Sequence, residues 1–231
     1  MATILDSAPK LNKWVSKKSI SSSNNSGVLY ASNSTWCKCN SKGGKLHAAS
    51  TTGCVSPILV PPIKWCIWKK PEVGCIKLNT DGSVMSGYSG LAGLFRDHKG
   101  KPLCAFVTRT PEENIFLVEL SAVWRGLLLA LNLGVSIVWV ESDSMSVVKT
   151  INREQSYSSK SGHYLSQIWN LLAMFKGYRV THSWREANKA ADYLSRSHAS
   201  QNDAVLMPVD FSEELHAIIN DDAQGKIYFR H

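Results

Sequence analysis

A chain of 231 residues with a formal charge of +8 holds one good-sized core with extensions, or two small domains at most. The charge is no nucleic-acid signal for the folded part: residues 1–71 carry ten lysines, no arginine and the single acid Asp6, and the remaining 160 residues sum to −1. The longest nearly uncharged apolar stretch, Gly126 to Val140, is interrupted by Asn132 and Gly134 and falls short of the roughly 18 residues of a membrane span, so no transmembrane helix is expected.

Residues 1–62 read as a Lys- and Ser-rich arm. Twelve serines in the first 60 residues and no hydrophobic period leave nothing to pack a core with, so the arm is expected to be disordered or a processed leader. Its Ser-rich, acid-poor composition leaves import into a plastid or mitochondrion open. The missing arginines and the lack of an amphipathic helix favour the nucleus or cytoplasm, with the arm helping to hold a polyanion. Six cysteines show no paired C-x-x-C spacing, so reduced thiols acting as small apolar residues are expected, not a zinc site.

Order begins near Ile63 to Trp68, after Pro61-Pro62. Alternation of Ile76, Leu78 and Thr80 with Lys77, Asn79 and Asp81 predicts a strand over about Gly74 to Asp81, stopped by a tight turn at Gly82. A second run, Gly90 to Arg96, joins a third, Pro102 to Thr108, through Asp97-His98-Lys99-Gly100, which completes an antiparallel meander. From Asn114 to Leu133 the period becomes helical, and Gly134 follows as a C-terminal cap. Ile137 to Val140 is a short strand, with Asp143 or Ser144 as a cap for a helix over Met145 to Asn152. A helix from about His163 to Phe175, a strand from Tyr178 to Trp184 and a helix from Asn188 to about His198 follow. Residues 201–231 form a tail with a short helix, Phe211 to Ile219. The order predicts an α/β domain over residues 63–200: a mixed five-stranded sheet, three antiparallel strands then two parallel, flanked by helices.

Four acids occupy places that this layout brings together. Asp81 ends the first strand, and Glu119 shares a helix face with Ala122, Val123 and Gly126, whose small size permits close approach to the sheet. Asp143 lies past a strand's C-terminal end, and Asp192 sits four residues after Asn188 on one helix face. Four neighbouring carboxylates require cations, and oxygen-only ligands suit Mg²⁺ or Mn²⁺. Two such ions form a clamp for phosphodiester hydrolysis. Taken singly, each acid reads equally as a turn residue, a solvated helix acid or a cap. Trp65, Trp68, Trp124, Trp139, Trp169 and Trp184 read as core residues in preference to base-stacking platforms.

Leu78-Asn79-Thr80-Asp81-Gly82-Ser83, Glu119-Leu120-Ser121-Ala122, Glu141-Ser142-Asp143-Ser144 and the run from His182 to Asp192 resemble, in order, the motifs of the ribonuclease H family. The closest resemblance is to the plant ribonuclease H-like domains of non-LTR retrotransposon type. It implies a ribonuclease H-like fold and catalytic metal ligands at Asp81, Glu119, Asp143 and Asp192. It also implies a product-release histidine at His182 and contacts from Gly82 and Ser83 to the RNA strand of an RNA/DNA hybrid. Apolar residues at Ile115 to Val118 and at Met145 depart from the polar minor-groove contacts of bacterial members. The 49 residues from Asp143 to Asp192 leave no room for their basic handle helix. The expected protein is a two-metal hybrid endoribonuclease, monomeric by default and without a membrane. The alternative is a transposon-derived domain that binds nucleic acid or protein without turnover.

Overall fold

The computed structural model describes residues 28–29, 63–85, 87–197 and 203–230. Strand β1 (Val28–Leu29) pairs with β2 (Ile63–Cys66); otherwise the arm, with its readings as leader or disordered segment, lies outside the described residues. Three antiparallel strands then form the expected meander: β3 (Ile76–Met85), β4 (Tyr88–Arg96) and β5 (Pro102–Thr110). The loop after β4 turns at Gly100, with φ +86°, and the Asp97 carboxylate accepts from the backbone N–H groups of Lys99 and Lys101.

Gly82 does not end β3. The strand continues through it to Met85, and the glycine serves close approach: a Cβ there would lie 2.9 Å from both the Glu119 backbone nitrogen and Val118 Cγ1. Those atoms belong to helix α1 (Ile115–Asn132), which starts where the Asn114 side chain accepts the Leu117 N–H. It ends in a Schellman arrangement: Gly134, with φ +71°, donates to Leu131, and Val135 donates to Ala130. With 18 residues and a mean hydropathy of 1.6, α1 has the length and composition of a membrane span, yet 61% of it is buried inside the protein. It is the central core helix.

Next come β6 (Ile137–Ser142), α2 (Met145–Ile151), α3 (Ser159–Met174), β7 (Gly177–His182) and α4 (Lys189–Ser197). β6 lies parallel to β3, and β7 parallel to β6. The sheet has six strands, not five, in the order β7-β6-β3-β4-β5-β8. The added β8 (Ala204–Leu206) pairs antiparallel with the β5 edge. Three residues carry too little period to be read as a strand; what fixes them is Asp203, which accepts from Thr108 and Arg125. Helix α5 (Glu213–Ala223) matches the expected tail helix, and β9 (Tyr228–Phe229) returns to pair with β2.

Both sheet faces are covered. On one, Leu78, Phe106, Val118, Leu127, Val140, Leu165 and Ile168 join the sheet to α1, α2 and α3; on the other, Leu94, Val107, Leu194, Phe211, Leu215 and Ile219 join it to α4 and α5. Each such side chain, removed from water, contributes about 1.5–3 kcal/mol. The three described cysteines, Cys66, Cys75 and Cys104, are free and buried, and burial pushes the thiols of Cys66 and Cys75 up to about 11. They behave as small apolar residues.

Candidate active site

Three carboxylates reach one point from three elements. Parallel pairing sets Thr80 of β3 opposite Ser142 of β6, so Asp81, still within β3, and Asp143, just past the end of β6, are each one residue further on and stand side by side. Glu119 arrives from α1, which the missing side chain at Gly82 admits onto β3. Ligand oxygens of Asp81, Glu119 and Asp143 lie within 4.8 Å of one another. Asp143 is not spent as a cap: Ser144 holds the N-cap position of α2, and its side chain accepts no backbone N–H.

All three acids are held above the usual carboxylate range. Burial first, then the charges of Asp143 and Asp192, push Asp81 up to about 8, against the Ser195 hydroxyl that donates to its Oδ2 at 2.5 Å. Burial, followed by the charges of Asp81 and Asp143, holds Glu119 well above the usual carboxylate range. Asp143 is raised too, chiefly by burial and further by the charge of Asp192, with Arg185 and a hydrogen bond with Asp81 opposing. Glu119 Oε2 is buried without a hydrogen-bond partner. A repelling all-oxygen set with an orphaned buried oxygen fits a hard divalent cation such as Mg²⁺ or Mn²⁺.

Asp192 stands apart from this trio. It lies on α4, and its Oδ1 is held by Arg185 at 2.8 Å and Arg196 at 2.9 Å. His182 ends β7 opposite Ser142. Its Nε2 lies 3.1 Å from the Asp143 carbonyl oxygen and its ring packs edge-on against Trp184. Burial lowers its pKa. Gly82 and Ser83 line an open groove of about 440 Å³ together with Val84, Met85, Ile115, Arg185 and Arg196.

Sequence reasoning missed what docks α4. Asn188 Nδ2 donates to the Thr80 carbonyl at 2.9 Å, and its Oδ1 accepts from Asn79 Nδ2 at 3.1 Å. The signal was present: Asn188, Asp192 and Ser195 recur at helical spacing on one face. Asn79 has all its hydrogen-bonding capacity used, because it also donates to Glu141 and accepts from Trp68 and Arg96. Around it lies a buried cation layer. Lys77 pairs with Glu141 at 2.7 Å between the rings of Trp68 and Trp139, and Arg96 stacks on Trp68 and pairs with Asp222 at 2.7 Å. Burial pushes Lys77 down to about 8. Trp68 and Trp139 are thus core residues, as expected, whose faces hold cations.

The strand order, with acids at the C-terminal edge of the parallel strands, defines a ribonuclease H-like domain. Solved structures share the fold. RNase H1 of the archaeon Halobacterium salinarum is 19% identical, covers 55% of this chain and 97% of its own, and superposes with a TM-score of 0.52. For the N-terminal RNase H domain of a Mycobacterium tuberculosis protein the values are 18%, 55%, 94% and 0.52. For LC11-RNase H1, isolated from compost, they are 22%, 55%, 97% and 0.50. A family model described as Reverse transcriptase-like matches residues 79–198, just over half of the chain, and the chain belongs to that family. An Arabidopsis thaliana relative named "Putative ribonuclease H protein" is 32% identical over 130 residues, 55% of this chain. The matched part spans 21% of that relative. The resemblance to the ribonuclease H family and the mixed α/β fold are both borne out.

Proposed function

We propose that this protein is a divalent-metal-dependent endonuclease that hydrolyses the RNA strand of RNA/DNA hybrids. The observation that carries this reading is the convergence of Asp81, Glu119 and Asp143, with Glu119 Oε2 orphaned, on a ribonuclease H-like sheet; the name of the Arabidopsis relative supports it. Asp81, Glu119 and Asp143 would hold the metal, and Asp192 would complete a second site. Two Mg²⁺ or Mn²⁺ ions, when bound, supply activation of water and neutralise the leaving oxygen. The attacking water gives up a proton as its oxygen bonds to phosphorus, and the leaving ribose oxygen takes one up as its own bond to phosphorus breaks. Ser195 orients Asp81 through its hydroxyl, Gly82 and Ser83 present backbone to the ribose 2′-hydroxyl, and His182 borders the exit of the product.

The second reading is a domain of the same descent that binds nucleic acid without turning it over. Ile115, which lines the groove, and Met145, two residues past Asp143, are 50% and 42% exposed and favour it, because apolar side chains make poor hydrogen-bonding contacts in a minor groove. Incubating purified protein with labelled hybrid and Mg²⁺, beside an Asp81→Asn control, separates the two. Cutting by the native protein alone is expected; equal cutting by both, or by neither, defeats the enzymatic reading.

A further inference from the structure

The oxygen that fixes Asp192 is crowded. Asp192 Oδ1 accepts from Nε and Nη2 of Arg185 at 3.1 and 2.8 Å and pairs with Nη2 of Arg196 at 2.9 Å. A guanidinium engages a carboxylate or phosphate best through two parallel bonds to two oxygens. Arg125 does so with Asp203, Nε donating to Oδ1 at 3.2 Å and Nη2 to Oδ2 at 2.8 Å. At Asp192 two planar forks converge on one oxygen instead. The arginine side chains are 62% and 51% exposed, so water competes with the pairing and holds it weak. Both line the groove that Gly82 and Ser83 border. The charge of Arg185 also acts on Asp81, Glu119 and Asp143.

We propose that Arg185 and Arg196 form a clamp for a phosphodiester of nucleic acid, and that Asp192 is their counterion in the free protein, released toward the three acids when a phosphate takes its place. This rests on the reading of the groove as a nucleic-acid site. Phosphate offers each fork two oxygens and a full charge, which a single shared carboxylate oxygen does not. Its arrival turns Asp192 from a neutralised group into an uncompensated acid beside three others. The demand for a further cation therefore rises only when substrate is present.

The test measures binding of a short labelled RNA/DNA hybrid in Ca²⁺, and uptake of Mn²⁺ by calorimetry without nucleic acid. The Arg185→Gln/Arg196→Gln variant is expected to bind the hybrid about tenfold more weakly, with a slope of log affinity against log salt reduced by roughly two. The Arg185→Lys/Arg196→Lys variant, which keeps both charges, restores the slope. In the Gln variant Mn²⁺ binds more tightly than in the native protein, and adding Asp192→Asn removes that gain. Hybrid bound by the native protein with an unchanged slope in the Gln variant overturns the clamp and leaves the nuclease reading standing. No binding by the native protein overturns both. A Mn²⁺ gain that survives Asp192→Asn overturns the counterion role.

Discussion

Asp81, Glu119 and Asp143 keep three carboxyls in a space where their charges repel, a strain that only a cation or a proton relieves. The sign of the pH dependence follows. Asp81 ordinarily ionises near 3.8 and in the folded protein is pushed up to about 8, so the unfolded chain sheds its proton first. Without metal, the contribution of this group to stability is intact below about pH 4 and is lost as pH rises to about 8. Thermal melts in chelator are expected to fall across that window, with Mn²⁺ raising the midpoint more at pH 8 than at pH 5. Asp81→Asn, which keeps an acceptor for Ser195, should stabilise the metal-free protein at pH 8 by about 1–3 kcal/mol while abolishing hydrolysis. A variant no more stable than the native protein at pH 8 would show that the acids are already relieved.

At the scale of elements, the contact of α1 with β3 sets where Glu119 stands. Gly82→Ala forces a methyl against the Glu119 backbone and Val118, and since α1 is also held by the core, the helix has to ride up. The expected loss is about 1–3 kcal/mol, read by urea denaturation, together with weaker Mn²⁺ binding by calorimetry. On the other face, Asn188 ties α4 to Thr80 and Asn79. Removing its side chain by Asn188→Ala leaves the Thr80 carbonyl without that donor and costs about 1–3 kcal/mol. Denaturation midpoints of that variant equal to the native value would show that α4 docks without it.

Over the whole molecule, the last 28 described residues, 203–230, are part of the architecture that carries the site. Asp222 of α5 and Arg96 of β4 are fully buried partners, and Tyr228 donates to the other Asp222 oxygen at 2.8 Å. Because Arg96 also donates to Asn79, a continuous polar chain runs from helix α5 to β3, the strand that carries Asp81. Asp222→Ala leaves a charge unpaired in the core and is expected to cost about 3–5 kcal/mol. A second substitution, Arg96→Met, should recover most of that loss in chemical denaturation. Failure to recover would mean that the layer stabilises through Trp68 stacking and not through the ion pair.

The order of elements and the identity of the acids are legible in the amino-acid sequence. Helical and strand periods are local, and four motifs in one order name Asp81, Glu119, Asp143 and Asp192 before any contact is known. Tertiary structure alone decided how these parts meet. Gly82, which a local reading takes for a turn after Asp81, proved to be a gap for a helix that begins 33 residues later. Lys77, Asn79 and Asp81 alternate with apolar neighbours as though one face met water, but α4 and the C-terminal segment cover that face, so the Lys77 charge had to be met by Glu141 and two indole rings. Asp192 lay within reach in sequence terms, yet its place depends on which cation its carboxylate finds, and two arginines found it first. Local periodicity encodes backbone form; which charges are buried together depends on segments far apart in the chain, whose contacts exist only once the sheet has closed over both faces.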